Sequence, residues 1–129
     1  MKRNHVKKAI AVTAFAMMII IGETKSYAAS KTVTSRLNGY YTEGSSQFNG
    51  ANYMTLTHCA AEASLSLSGH VRFVQPYTGT TSSRQVSKSE RGTEVVVRDT
   101  APTGYRVLSM EILHKVVKDG TWTQTTYVE

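Results

Sequence analysis

Tyr105-Arg106-Val107-Leu108-Ser109-Met110-Glu111-Ile112-Leu113-His114-Lys115-Val116-Val117 is followed by Lys118-Asp119-Gly120, then by Thr121-Trp122-Thr123-Gln124-Thr125-Thr126-Tyr127-Val128. Successive side chains of a strand point to opposite faces. Strand geometry puts Arg106, Leu108, Met110, Ile112, His114 and Val116 on one face, and Tyr105, Val107, Ser109, Glu111, Leu113 and Lys115 on the other. A helix over 107–115 is the competing reading, and the β-branched flanks oppose it. Asp119-Gly120 supplies the positive φ angles of a tight hairpin turn. The stretch therefore predicts a long strand, a turn and a returning strand that buries Trp122 near the turn.

The same alternation continues upstream, broken by Gly, Ser and Asn clusters. Thr32 to Tyr41 reads as a strand, with Asn38-Gly39 as a bulge or kink inside it in preference to a turn. Glu43 to Ser46 reads as a loop, and Asn52 to His58 as the second clear strand. Cys59 to Ala63 reads either as a strand continuation with a bulge or as a single helical turn. Leu65, Leu67, Val71 and Phe73 share one parity around Gly69, which predicts one long strand ending at Pro76. Thr78 to Lys88 is the most polar stretch and predicts a mobile loop, with room for a short edge strand near Val86. Val95 to Val97 marks another strand, and Asp99 to Gly104 a strong turn. Six to seven short strands fit a β-sandwich or a small barrel. An all-β, antiparallel β-sandwich is the expectation.

The N-terminus has a different composition. Lys2, Arg3, Lys7 and Lys8 precede an uncharged run from Ala9 to Gly22. A membrane span needs about 20 apolar residues, and Glu23 and Lys25 end this run too soon. Ser26-Tyr27-Ala28 places small residues at the positions that signal peptidases favour. The expectation is a helical signal peptide over 1–28, cleaved after Ala28, with cleavage after Ala29 or an uncleaved anchor as alternatives. The secreted domain is then 29–129, with no stable membrane span after cleavage. No cysteine follows the apolar run as a lipid-attachment site, and the C-terminus Thr125 to Glu129 carries no apolar tail.

The net charge of +6 owes much to this leader. It holds five of the 15 basic residues and one of the nine acids, so the rest carries ten against eight, a net of +2. Arg36, Arg72, Arg84, Arg91, Arg98 and Arg106 are scattered among acids rather than clustered. That opposes nucleic-acid binding.

Cys59 is the single cysteine, so an intramolecular disulfide is impossible. Its thiol is either buried and inert or open to an intermolecular disulfide. His58 is its neighbour, but adjacent strand residues face opposite ways, which places that imidazole poorly to activate the thiol. His58, His70 and His114 lack the close spacing of zinc ligands. Glu90 and Glu94 lie among Lys88, Arg91 and Arg98 and read as solvated charge. No cofactor or metal is expected, and no enzyme. The tyrosines carry more weight, because tyrosine makes contact area at low entropic cost. Tyr40, Tyr41 and Tyr77, with the loop from Thr78 to Ser83, are the candidate contacts. The leading expectation is an extracellular or envelope-associated binding module, its partner left open among a cell-envelope glycan, another protein and its own copies. The alternatives are a secreted antimicrobial or toxin-like protein and a small cysteine-dependent hydrolase.

Overall fold

Six antiparallel strands follow one another in the computed structural model, which describes residues 29–129. They are β1 (Ala29–Leu37), β2 (Tyr40–Asn49), β3 (Asn52–Val74), β4 (Thr81–Thr100), β5 (Arg106–Val117) and β6 (Thr121–Val128). The expected signal peptide over 1–28, with its expected cleavage after Ala28, lies outside the described residues. Among the described residues no helix is long and apolar enough to cross a membrane.

The length of β3 and β4 decides the architecture. They hold 23 and 20 residues, and an extended strand rises about 3.3 Å per residue. Such strands run well past one face of a small domain, so they bend and carry their pairing around it. The β3–β4 ladder runs from Asn52↔Thr100 to His58↔Glu94, shifts register, and resumes at Ala63↔Gly92. β2 pairs with β3 before the shift, through Thr42↔Cys59 to Asn49↔Asn52. β5 pairs with it afterwards, through Ser64↔Val117 to Val74↔Arg106. β1 flanks β2, and β6 flanks β5.

The result is one sheet curled into a nearly closed barrel, which corrects the expected sandwich. An aligned sandwich keeps two separate sheets stacked face to face, with their ladders not continuous from one to the other. Here the backbone ladder itself crosses the corner, at the irregularity between His58 and Ala63.

Four local expectations change for related reasons. Asn38-Gly39 is a hairpin turn rather than a kink, with φ of 51° and 85°, the double positive φ of a tight turn. Glu43 to Ser46 belongs to β2, not a loop. Thr81 to Lys88 is strand rather than mobile loop, because β3 offers its edge and the polar side chains can stay in solvent. The true loop is 75–80, closed by Gln75 N donating to Thr80 O and Gly79 N donating to Gln75 O, both at 2.8 Å. In β5 the register slips between Arg72 and Phe73 of its partner. Val107 is therefore buried and Leu108 exposed, the reverse of a strict alternation.

The core fills the inside of the curl. Phe48, Tyr53, Leu65, Leu67, Val71, Phe73, Met110, Ile112 and Val116 are buried there. Trp122 is half-buried and packs against this cluster. A polar thread runs through the same interior. Thr57 Oγ1 donates to Ser66 O at 3.1 Å and meets His114 Nδ1 at 2.9 Å. His114 Nε2 meets Thr126 Oγ1 at 2.8 Å, and Thr126 meets Ser46 at 2.8 Å. Ser46 meets Thr55 at 2.8 Å, and Thr55 donates to Ser45 O at 3.0 Å. Gly44 makes room for the imidazole: a Cβ there would stand 2.4 Å from His114 Cγ.

Two seams close the curl without a backbone ladder. At one, Arg84 reaches across the fold of β4 to Tyr53 Oη (3.0 Å), Asp99 Oδ2 (3.1 Å) and Thr100 O (3.1 Å). Its guanidinium also lies 5.2 Å from the Phe73 ring centre. Lys88 Nζ donates to Val96 O at 3.1 Å in the same seam. These cations occupy edge carbonyls that another chain could otherwise pair with. At the other seam, Asn38 Nδ2 donates to Lys118 O (2.8 Å) and Asp119 O (2.7 Å), tying the two hairpin turns together.

Candidate binding face

The half of the sheet made by β4, β3, β5 and β6 turns one face outward. Parity sends Met110, Ile112, His114 and Val116 of β5 inward, and Glu111, Leu113, Lys115 and Val117 outward. Cross-strand partners share a face, so the register arranges the outer residues in rows. One row is Gln85, His70, Glu111 and Tyr127. The next is Ser87, Ser68, Leu113 and Thr125. Then come Ser89, Ser66, Lys115 and Thr123, and last Arg91, Ser64, Val117 and Thr121. Hydroxyls line the flanks, and β5 contributes most of the apolar and charged groups.

Three large apolar groups stand exposed on this face. Leu113 is 41%, Val117 37% and Tyr127 50% accessible. Tyr127 Oη donates to Glu129 Oε2 at 2.9 Å, and that bond holds its phenol above the usual range. His70 Nε2 stands 3.8 Å from Glu111 Oε1. Near the bend the face opens into a groove of about 410 Å³, lined by Ser64, Ser66, Ser89, Arg91, Lys115 and Val117 among others. Arg91 is held there by Glu62 at 3.4 Å. Lys115 has no carboxylate partner among the described residues.

The tyrosines singled out from the sequence do not meet. Tyr40 is half-exposed beside the β5–β6 turn, with Lys118 Nζ 5.4 Å from its ring centre. Tyr41 points the opposite way and is buried; its hydroxyl donates to Glu43 Oε1 at 2.8 Å. Burial, then this bond, raises the Tyr41 phenol far above its ordinary range. Tyr77 is 98% exposed in the 75–80 loop, at the end of the molecule where β5 begins. The full length of β5 separates it from Tyr40.

Cys59 is fully buried in the core with a free thiol. A disulfide to another chain requires that core to open. His114 sits in the interior thread, His70 on the outer face, and His58 beside Tyr41 with ring centres 6.1 Å apart. The described residues hold no group of three or more His, Cys, Asp or Glu fit for a metal ion. Sequence reading missed Leu113, Lys115 and Glu111 as surface features. The available signal was the run of polar residues at every second position of β3, Ser64, Ser66, Ser68 and His70, which marks that face as outward.

Comparisons with protein-family models, with curated proteins and with solved structures find no match.

Proposed function

We propose that this protein works outside the cytoplasm as a non-enzymatic interaction module, and that its contact surface is the outer face of β3, β4, β5 and β6. One observation carries the reading. Leu113 and Tyr127 are exposed as diagonal neighbours on one hydroxyl-lined face, and Val117 is exposed on the same face beyond Lys115, whereas single exposed apolar side chains are ordinary. A broad open face of this kind suits another surface or an extended polymer better than a small molecule held in a deep cleft. The basic and apolar leader supports action beyond the membrane. The burial of Cys59 and the engagement of both His114 nitrogens speak against nucleophilic chemistry at those groups.

The test compares Leu113→Asp with Tyr77→Ala in a pelleting assay against an isolated cell-envelope fraction. The reading expects Leu113→Asp to lose pelleting and Tyr77→Ala to keep it. Equal pelleting by both variants would move the contact surface elsewhere.

A further inference from the structure

The charges on β5 are arranged symmetrically. Leu113 stands between Glu111 and Lys115 along the outward parity, with Ser109 and Val117 beyond them. We propose that a second copy of this chain packs face to face on this surface, about a two-fold axis that crosses β5 at Leu113. The proposal rests on taking that face as the contact surface, and it names the partner.

Two orientations bring identical sheets face to face with their strands aligned. An axis parallel to β5 sets Glu111 against Glu111 and Lys115 against Lys115, which is repulsive. An axis perpendicular to β5, lying between the two faces, reverses the strand direction. Each row then meets the row equally far beyond Leu113. Glu111 meets Lys115 of the second copy, Lys115 meets its Glu111, and Leu113 meets Leu113.

The neighbouring strands follow without conflict. In this orientation His70 opposes Ser66, Tyr127 opposes Thr123, and Arg72 opposes Ser64. Arg91 opposes Ser83, since these two pair with Ser64 and Arg72 in the β3–β4 ladder. No like charges stand directly opposite each other, and the nearest like pair, Arg72 with Arg91 of the second copy, is offset by one strand. The Lys115 ammonium, which has no carboxylate partner among the described residues, gains one. Complementary charge of this kind sets orientation and register more than raw affinity.

The face limits the strength. The curl makes this outer face convex, so β5 and its two neighbours make the contact; three strands spaced about 4.8 Å apart, over the nine residues from Ser109 to Val117, give roughly 400 Å² per copy at most. That falls below the about 800 Å² per partner of a standard interface. A weak dimer is expected, with a dissociation constant on the order of 10–100 μM.

Sedimentation equilibrium tests this on protein purified after expression of the full chain. Wild type should dimerise in that range, more weakly in high salt. Glu111→Lys and Lys115→Glu should each weaken the dimer by about tenfold or more, since the axis makes each change count twice. The double variant Glu111→Lys/Lys115→Glu should recover to within about threefold of wild type. A protein that stays monomeric to about 1 mM overturns the proposal. So does a dimer indifferent to the single changes, or a double variant that stays weak. Leu113→Asp separates this from the broader reading. Lost envelope pelleting with a monomeric wild type ends the dimer and leaves the contact surface standing.

Discussion

Acid should weaken this fold through one side chain, His114. Desolvation lowers its pKa from 6.5 to about 4, and a hydrogen bond to the Leu56 backbone, which favours the charged ring, offsets this only in part. The neutral ring sits in a thread of six contacts, from Ser66 O through Thr57, His114, Thr126, Ser46 and Thr55 to Ser45 O. Four hydroxyls and a neutral imidazole bring five protons to those six contacts. Protonation would supply the sixth, at a gain of about 1 kcal/mol for one more hydrogen bond. Burying the imidazolium costs several kcal/mol, so desolvation wins. The folded state therefore keeps His114 neutral while the unfolded chain takes up a proton below pH 6.5. Stability is full above that pH, falls as pH drops from 6.5 to about 4, and levels off below. A shift from 6.5 to about 4 is worth about 3 kcal/mol in total, and about 2 kcal/mol of it is lost by pH 5. Against a total of about 5–15 kcal/mol for a domain, that is a visible fraction. Urea unfolding of wild type and His114→Gln at pH 7 and pH 5 isolates the term, because the other titrating groups cancel in the difference. Wild type should lose about 2 kcal/mol more than the variant over that interval. Equal losses, or a wild type that gains on the variant in acid, would show that the thread claims its sixth proton and that the reasoning is wrong.

Other expectations follow from the same contacts. Gly44→Ala would set a Cβ 2.4 Å from His114 Cγ, and should cost about 1–3 kcal/mol of stability by overpacking; an unchanged melting temperature contradicts it. Asn38→Ala removes both bonds to the β5–β6 turn and a residue suited to φ of 51°. It should cost about 1–3 kcal/mol and speed amide exchange near Lys118 to Gly120. Arg84→Lys should not rescue the loss caused by Arg84→Ala, because one ammonium cannot reproduce the planar contact over Phe73 and the bonds to Tyr53, Asp99 and Thr100. Matched thermal melts of the two variants decide this. Cys59 should resist a thiol reagent in native buffer and react fully in denaturant, since the thiol is buried; rapid native labelling would place it at the surface.

How far the sequence reached differs between elements. The hairpin at Lys118-Asp119-Gly120 was legible because turn chemistry is local: Asp119 has φ of 54° and Gly120 of 147°. Asn38-Gly39 carried the same signal, but the unbroken polar and apolar mix around it hid the reversal. The strand at Thr81 to Lys88 was not legible, since its serines and threonines gain order only when β3 supplies a ladder. The slip in β5 that exposes Leu108 has no local mark at all. It follows from how β3 bends around the barrel.

The candidate face shows the same division. Alternating serines on β3 carried an unused signal of which side meets water, and Glu111, Leu113 and Lys115 were readable as one parity. Their convergence with Tyr127 was not, because it depends on the register between β5 and β6. By itself, then, the chain determined antiparallel strands, most of their inward and outward parity, and a basic then apolar N-terminal composition. These are properties of nearest neighbours along the backbone. Only the tertiary structure decided that one sheet curls instead of two stacking, that Tyr40, Tyr41 and Tyr77 part company, and that Cys59 is sealed. Those outcomes turn on where β3 and β4 bend together, and a bend shared by two distant strands is written in neither of them alone.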